Sequence, residues 1–195
     1  MASILGIDTI QHQSGTTALT IDNNGHVSGQ TKLASVTPID LTSHTSGYTF
    51  TNIPSVYNRL TLMVYGWSVS ATAELWIRLG TSSGIITAYN YVKHSQYWNT
   101  ADNVGTDTSG TGDNAFKWEG WNGAGNVQHL NATFTHNGGN IWFMQSSAFA
   151  GALDGHMDYY QVFQGLIDTG ATLTQLQILP EANSIDAGTV NLMYG

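Results

Sequence analysis

The sequence predicts an all-β protein: a jelly-roll-like antiparallel β-sandwich preceded by a short N-terminal β-hairpin arm. Three observations predict it. Helical periodicity is nearly absent along the 195 residues. β-Branched and aromatic residues dominate the apolar runs, and several of these runs alternate with a period of two. Clusters of Gly, Asn and Asp separate the runs at short intervals, the spacing expected of two-sheet folds.

The elements follow in order. A first strand is expected over Ser3 to Ile10. A hairpin follows, from Ala18-Leu19-Thr20-Ile21 through a turn at Asp22-Asn23-Asn24-Gly25 to His26-Val27. The Asn-Gly pair supplies the positive φ that a tight turn needs. So few apolar side chains cannot form a core alone. Residues 1–32 are therefore expected to lie on another surface as an attachment arm, anchored by Ile4, Ile7, Ile10, Leu19, Ile21 and Val27. Residues 33–47 are polar, contain Pro38 and read as a linker, with an edge strand near Ile39 and Leu41.

The sandwich domain is expected over residues 48–195. Its first strand is Tyr48 to Ile53. Arg59 to Tyr65 turns Leu60, Leu62 and Val64 to one face, and Glu74 to Leu79 does the same with Leu75, Ile77 and Leu79. Further strands are expected near Ala88 to Lys93, Ala115 to Trp121, Val127 to Thr135, Asn140 to Ser147, Tyr159 to Ile167, Leu173 to Leu179 and Thr189 to Tyr194. The last of these docks the C-terminus into a sheet, which leaves the N-terminus as the end for attachment. Asn99 to Asn114 has almost no apolar content and reads as a long loop.

Composition narrows the function. Charged residues are only 9% of the chain, and the formal net charge is −8. A surface built from Ser, Thr, Asn, Gln and Gly repels its neighbours weakly and suits a fixed place in an assembly. The five basic residues are scattered, so phosphate-driven nucleic-acid binding is not expected. Without Cys, disulfides and thiolate chemistry are excluded. No apolar run is long enough to span a membrane as a helix, and MASILGIDTI lacks the pattern of a secretory signal.

The motif inventory points away from catalysis. Asp102, Asp107 and Asp113 beside Asn103 and Asn114 carry calcium-type oxygens, but at the wrong spacing for an EF-hand, and a solvated loop is the simpler reading. Seven histidines show neither HExxH nor His-x-His spacing. Glu74, Glu119 and Asp158 are the acids available for a glycosidase couple, and nothing in their spacing pairs them. No nucleophile elbow or phosphate loop is present. The expectation is a non-enzymatic protein with no catalytic residue, no metal site and no cofactor. Aromatic residues carry the remaining signal. Tyr89, Tyr91, Tyr97, Trp98 and Trp121 flank the polar segment and are candidates for a glycan-stacking surface, in competition with core or interface roles. Trp118 alternates with Phe116 and is assigned to the core.

Two stretches carry a resemblance. Ile7 to Val27 resembles the N-terminal segments of virion proteins from tailed phages of cyanobacteria and other aquatic bacteria. Phe50-Thr51-Asn52-Ile53-Pro54, Arg59 to Leu62, Leu79 to Ile85 and the ending Asp186 to Gly195 look like a β-sandwich module of phage appendage proteins. The resemblance implies a homotrimeric structural protein on the exterior of the virion, bound to major capsid or tail proteins. The short linker favours a capsid decoration (cement) protein or short fibre. The alternative is a tail-fibre module that recognises host surface glycans.

Overall fold

The computed structural model describes residues 9–11, 17–20, 32–88, 91–99, 104–118, 126–152 and 157–195. The chain divides into two compact units, Met1–Lys32 (with Gly195) and Leu33–Tyr194. The first holds an antiparallel pair, β1 (Thr9–Gln11) and β2 (Thr17–Thr20), in which Ile10 faces Leu19 across the ladder. The expected return strand at His26-Val27 lies outside the described residues.

The second unit is an antiparallel β-sandwich. Fourteen strands follow: β3 (Lys32–Leu33), β4 (Ile39–Asp40), β5 (Tyr48–Phe50), β6 (Arg59–Val69), β7 (Leu75–Thr81), β8 (Gly84–Ile85), β9 (Tyr91–Asn99), β10 (Val104–Asp113), β11 (Phe116–Trp118), β12 (Asn126–His136), β13 (Ile141–Ala152), β14 (Met157–Asp168), β15 (Leu173–Pro180) and β16 (Ile185–Tyr194). The larger sheet has the order β10-β9-β14-β13-β12-β6-β16-β3, with β4 also paired to β16. The smaller sheet runs β11-β7-β15-β5, with β8 on β7. The chain crosses from one sheet to the other between β6 and β7, β8 and β9, β10 and β11, β11 and β12, β14 and β15, and β15 and β16, while β12, β13 and β14 follow one another in the larger sheet.

Strand alternation builds the core. Leu60, Leu62, Ile77, Leu79, Phe134, Leu176, Ile178 and Leu192 are fully buried between the sheets. An aromatic cluster closes one part of it. Phe116 meets Tyr91 edge-on at 4.9 Å, and Trp118 stacks on Phe163 at 4.7 Å. The Trp118 indole N–H donates to Ser146 Oγ at 3.1 Å, so its one polar atom is satisfied.

Two expectations are corrected. The polar segment Asn99 to Asn114 is not a structureless loop: β9 and β10 pair as an antiparallel ladder from Asn99↔Val104 to Tyr91↔Asp113. Thr-rich polar strands hide from hydropathy because neither face is apolar, and here the ladder with β9 supplies the order. The 33–47 segment is not a free linker. Leu41 is fully buried in a 3-10 turn, Leu41–Ser43, capped by Asp40 Oδ1 accepting from Thr42 N–H at 2.9 Å. β4 adds Ile39 and Asp40 to β16.

Candidate functional site

The outward face of the larger sheet holds the candidate site. Of the eight large hydrophobic side chains exposed among the described residues, five lie there: Tyr65, Ile141, Phe149, Tyr160 and Leu166. Three of them, with His129, form one cross-strand row. His129 is in register with Phe149, and Phe149 with Tyr160. The His129 ring lies flat on Phe149, with centroids 4.6 Å apart and planes at 16°. Tyr65 meets the other side of His129 edge-on at 4.5 Å. Crossing four strands, the row extends about 14 Å.

A β-bulge in β6 makes this row. Gln128 pairs with Trp67 and Leu130 with Val64, so β6 carries one extra residue opposite β12. The bulge sits at Gly66, whose φ of 65° is easy only for glycine. It changes the phase of the strand: Tyr65 is 71% exposed, and Trp67, two residues on, is fully buried. Gly66 N–H donates to His129 Nδ1 at 3.4 Å. That bond leaves the imidazole proton on Nε2, making Nε2 the donor. Partial burial lowers the His129 pKa and favours this neutral form. On the neighbouring strand, Gly188 is packed so closely that a Cβ would lie 2.8 Å from Trp67 Cα.

The next row of the same face is mixed, with polar Asn131 and Ser147 between Met63 and Val162. Asn131 pairs with Ser147, and Ser147 with Val162. Beyond it stand Thr133, Gln145 and Gln164. Each row is about 7 Å from the last. Among the described side chains of β6, β12, β13 and β14, the only Lys, Arg, Asp or Glu are Arg59 and Asp168, at the far end of the strands from the aromatic row.

A concavity lies at one end of the sandwich, where the segments after β5, β12 and β14 converge. It has a volume of about 150 Å³ and is walled by Ile53, Pro54, Tyr57, His136, Trp142 and Leu173. His136 stacks on Trp142 at 5.1 Å, and its Nε2 is 3.0 Å from Gly139 O. Thr169 N–H donates to Asn140 O at 3.0 Å, which ties two of the turns together.

The residues singled out by the sequence fall in different places. Tyr91 is corrected: it is fully buried, not part of an exposed stacking surface. Its hydroxyl accepts from Leu79 N–H at 2.9 Å and lies 3.1 Å from Ile86 O, and burial pushes its pKa up. Pairing with Ile167 puts it in phase with the core. Trp98 pairs with Tyr160 and Tyr97 with Gln161 through the backbone; their side chains lie outside the described set. Tyr89 and Trp121 also lie outside the described residues, as do Ile4, Ile7, Ile21 and Val27.

The acids are engaged or separate. Glu74 Oε2 accepts from Trp76 Nε1 at 2.8 Å, and Asp113 pairs with Lys117 at 3.1 Å. Asp107 and Asp113 share one strand, six residues and so about 20 Å apart, too far to ligate one ion. Among the described residues no group of three or more His, Asp or Glu is placed to hold a metal. Glu119 and Asp102 lie outside the described residues.

Sequence reasoning missed Tyr65, His129, Phe149 and Tyr160 as a group. One signal was available: turning Leu60, Leu62 and Val64 inward turns Tyr65 outward.

No protein-family model matches the chain, and no curated protein matches it. Among solved structures, a toad ovary galectin in complex with thio-digalactose is similar over 74% of this chain and 98% of that one, at 11% identity and a TM-score of 0.27. At that TM-score the functional reading rests on this chain's own residues.

Proposed function

We propose that this chain is a non-enzymatic virion structural protein, a capsid decoration or short fibre module. Met1–Lys32 attaches it to a major capsid or tail protein, and the Leu33–Tyr194 sandwich is displayed on the exterior as a homotrimer. The observation that carries this reading is the division of the chain into a small hairpin unit and a large sandwich with its own core. A segment that cannot bury a core of its own is suited to strand addition or wrapping on a partner. The phage resemblance of Ile7 to Val27 falls on that same segment. Removing residues 1–32 is the test. Particles assembled with the truncated chain are expected to lack it, while the sandwich keeps its cooperative melting transition. Full incorporation of the truncated chain refutes the proposal.

A second reading is favoured by one specific observation, the outward aromatic row of the larger sheet. It makes the sandwich a receptor module that recognises host surface glycans. Binding to isolated host polysaccharide tests it, and the two readings are compatible in one protein.

A further inference from the structure

We propose that the outward face of the larger sheet binds a neutral oligosaccharide laid across the strands, with sugar rings stacked on Tyr65, Phe149 and Tyr160 and hydroxyls met by His129, Asn131 and Ser147. This deepens the glycan reading and rests on it.

Four observations lead to that ligand. Exposure comes first: Tyr65 is 71%, Phe149 46% and Tyr160 37% accessible, so three large rings on one row present surface to a ligand. Aromatic faces of this kind favour the apolar C–H side of a sugar ring. Rigidity is second. Each residue sits on a strand paired on both sides, and His129 is held between Tyr65 and Phe149 with its Nδ1 fixed by Gly66 N–H. A row set in this way loses little conformational freedom on binding.

Third is the placing of polar groups. The bond from Gly66 makes His129 Nε2 a donor within the aromatic row. One row away, about 7 Å along the strands, Asn131 and Ser147 supply amide and hydroxyl groups in mutual register. Polyhydroxylated rings need both kinds of contact.

Charge is the fourth and selects the class of sugar. The described side chains of the row itself are uncharged, Asp186 beside Ser68 adds a carboxylate near it, and the whole chain carries a formal −8. An anionic glycan, rich in uronate, sulfate or phosphate, finds no cation among the described side chains of the row and is repelled by the rest of the molecule. A neutral glycan incurs neither cost. The same pattern argues against a second copy as the occupant. Self-association surfaces are apolar at their centre. Here the middle of the face, between the aromatic row and Ile141 with Leu166, is mostly polar, with Asn131, Ser147, Thr133, Gln145 and Gln164 exposed or half-buried and only Met63 and Val162, both half-buried, apolar among them.

The experiment uses the full chain and calorimetric titration with hexamers of glucose, mannose and galactose, and with hexamers of uronic acids as the charged counterparts. Binding to at least one neutral hexamer and to no uronate is expected. Phe149→Ala and Tyr65→Ala are each expected to weaken it about tenfold, or about 1.4 kcal/mol, with an unchanged melting temperature. Val36→Ala, at an exposed position apart from the row, serves as the control. Neutral binding that survives both aromatic substitutions overturns the site and leaves the glycan reading standing. Uronate binding overturns the neutral class. Absence of binding to all of the hexamers overturns the site and counts equally against the glycan reading. Self-association of the native chain in sedimentation that Phe149→Ala abolishes overturns the ligand in favour of a second copy.

Discussion

The two outward faces of the sandwich both carry aromatic side chains, and they treat them differently. On the smaller sheet, Trp76 is covered. Arg78 lies 4.9 Å and Lys117 5.0 Å from its ring centroid, and Glu74 accepts from its indole N–H. Two of the five basic residues in the chain are committed to that one ring. On the larger sheet, Tyr65 and Phe149 contact His129 and still present much of their surface to solvent. The contrast teaches that a surface aromatic is not by itself a site. Trp76 is accounted for by contacts within the fold, whereas the row on the larger sheet has surface left over.

Several substitutions break or sharpen this contrast. The largest effect is expected from Gly188→Ala. Its φ of 118° disfavours any Cβ, and the new atom would press on the Trp67 backbone beneath the bulge. A loss of roughly 2–4 kcal/mol is expected in denaturant unfolding, together with loss of the Tyr65–His129 contact, seen as a shift of the His129 ring signals in NMR. Native stability in this variant would show that the bulge is not fixed by its neighbour.

Trp76→Ala comes next. It removes a partly buried ring and two cation–π contacts, for an expected cost of about 1–3 kcal/mol. Phe149→Ala on the opposite face is expected to cost less than about 0.5 kcal/mol, as an exposed position should. Equal costs for the two would dissolve the contrast. The smallest effect concerns pH. Burial lowers the His129 pKa below its ordinary 6.5, so on acidification the unfolded chain takes up this proton before the folded one does. The contribution is present above pH 6.5 and is lost as the pH falls towards the lowered folded value. The melting temperature of the native chain should therefore drop more between pH 7.5 and pH 5 than that of His129→Gln.

Much of the core was legible in the sequence because alternation there is strict. Leu60, Leu62 and Val64, and Leu75, Ile77 and Leu79, were assigned inward and are buried. Trp118 and Phe116 likewise fall in the core, as their spacing implied. Val104–Asp113 was not legible as a strand. With polar residues on both faces it lacks the hydropathy period, and its order comes from pairing with β9. Tyr91 was misread for a related reason: Tyr89-Asn90-Tyr91-Val92-Lys93 shows no clean apolar alternation, and the ladder with Ile167 fixes its phase. Beyond the outward turn of Tyr65, the aromatic row could not be read from local pattern. Its members come from β6, β12, β13 and β14, and their adjacency is a property of strand order and register.

Gly66 has a further consequence for how such a protein can change. Along a strand the side chains follow a two-beat rhythm, and the bulge drops a beat between Tyr65 and Trp67. Two large rings from one three-residue stretch are thereby dealt to opposite sides of the sheet, one to the core and one to solvent. Without the extra residue both would fall on the same side. Gain or loss of a single residue at this point therefore moves a ring between the core and the solvent face without changing either ring.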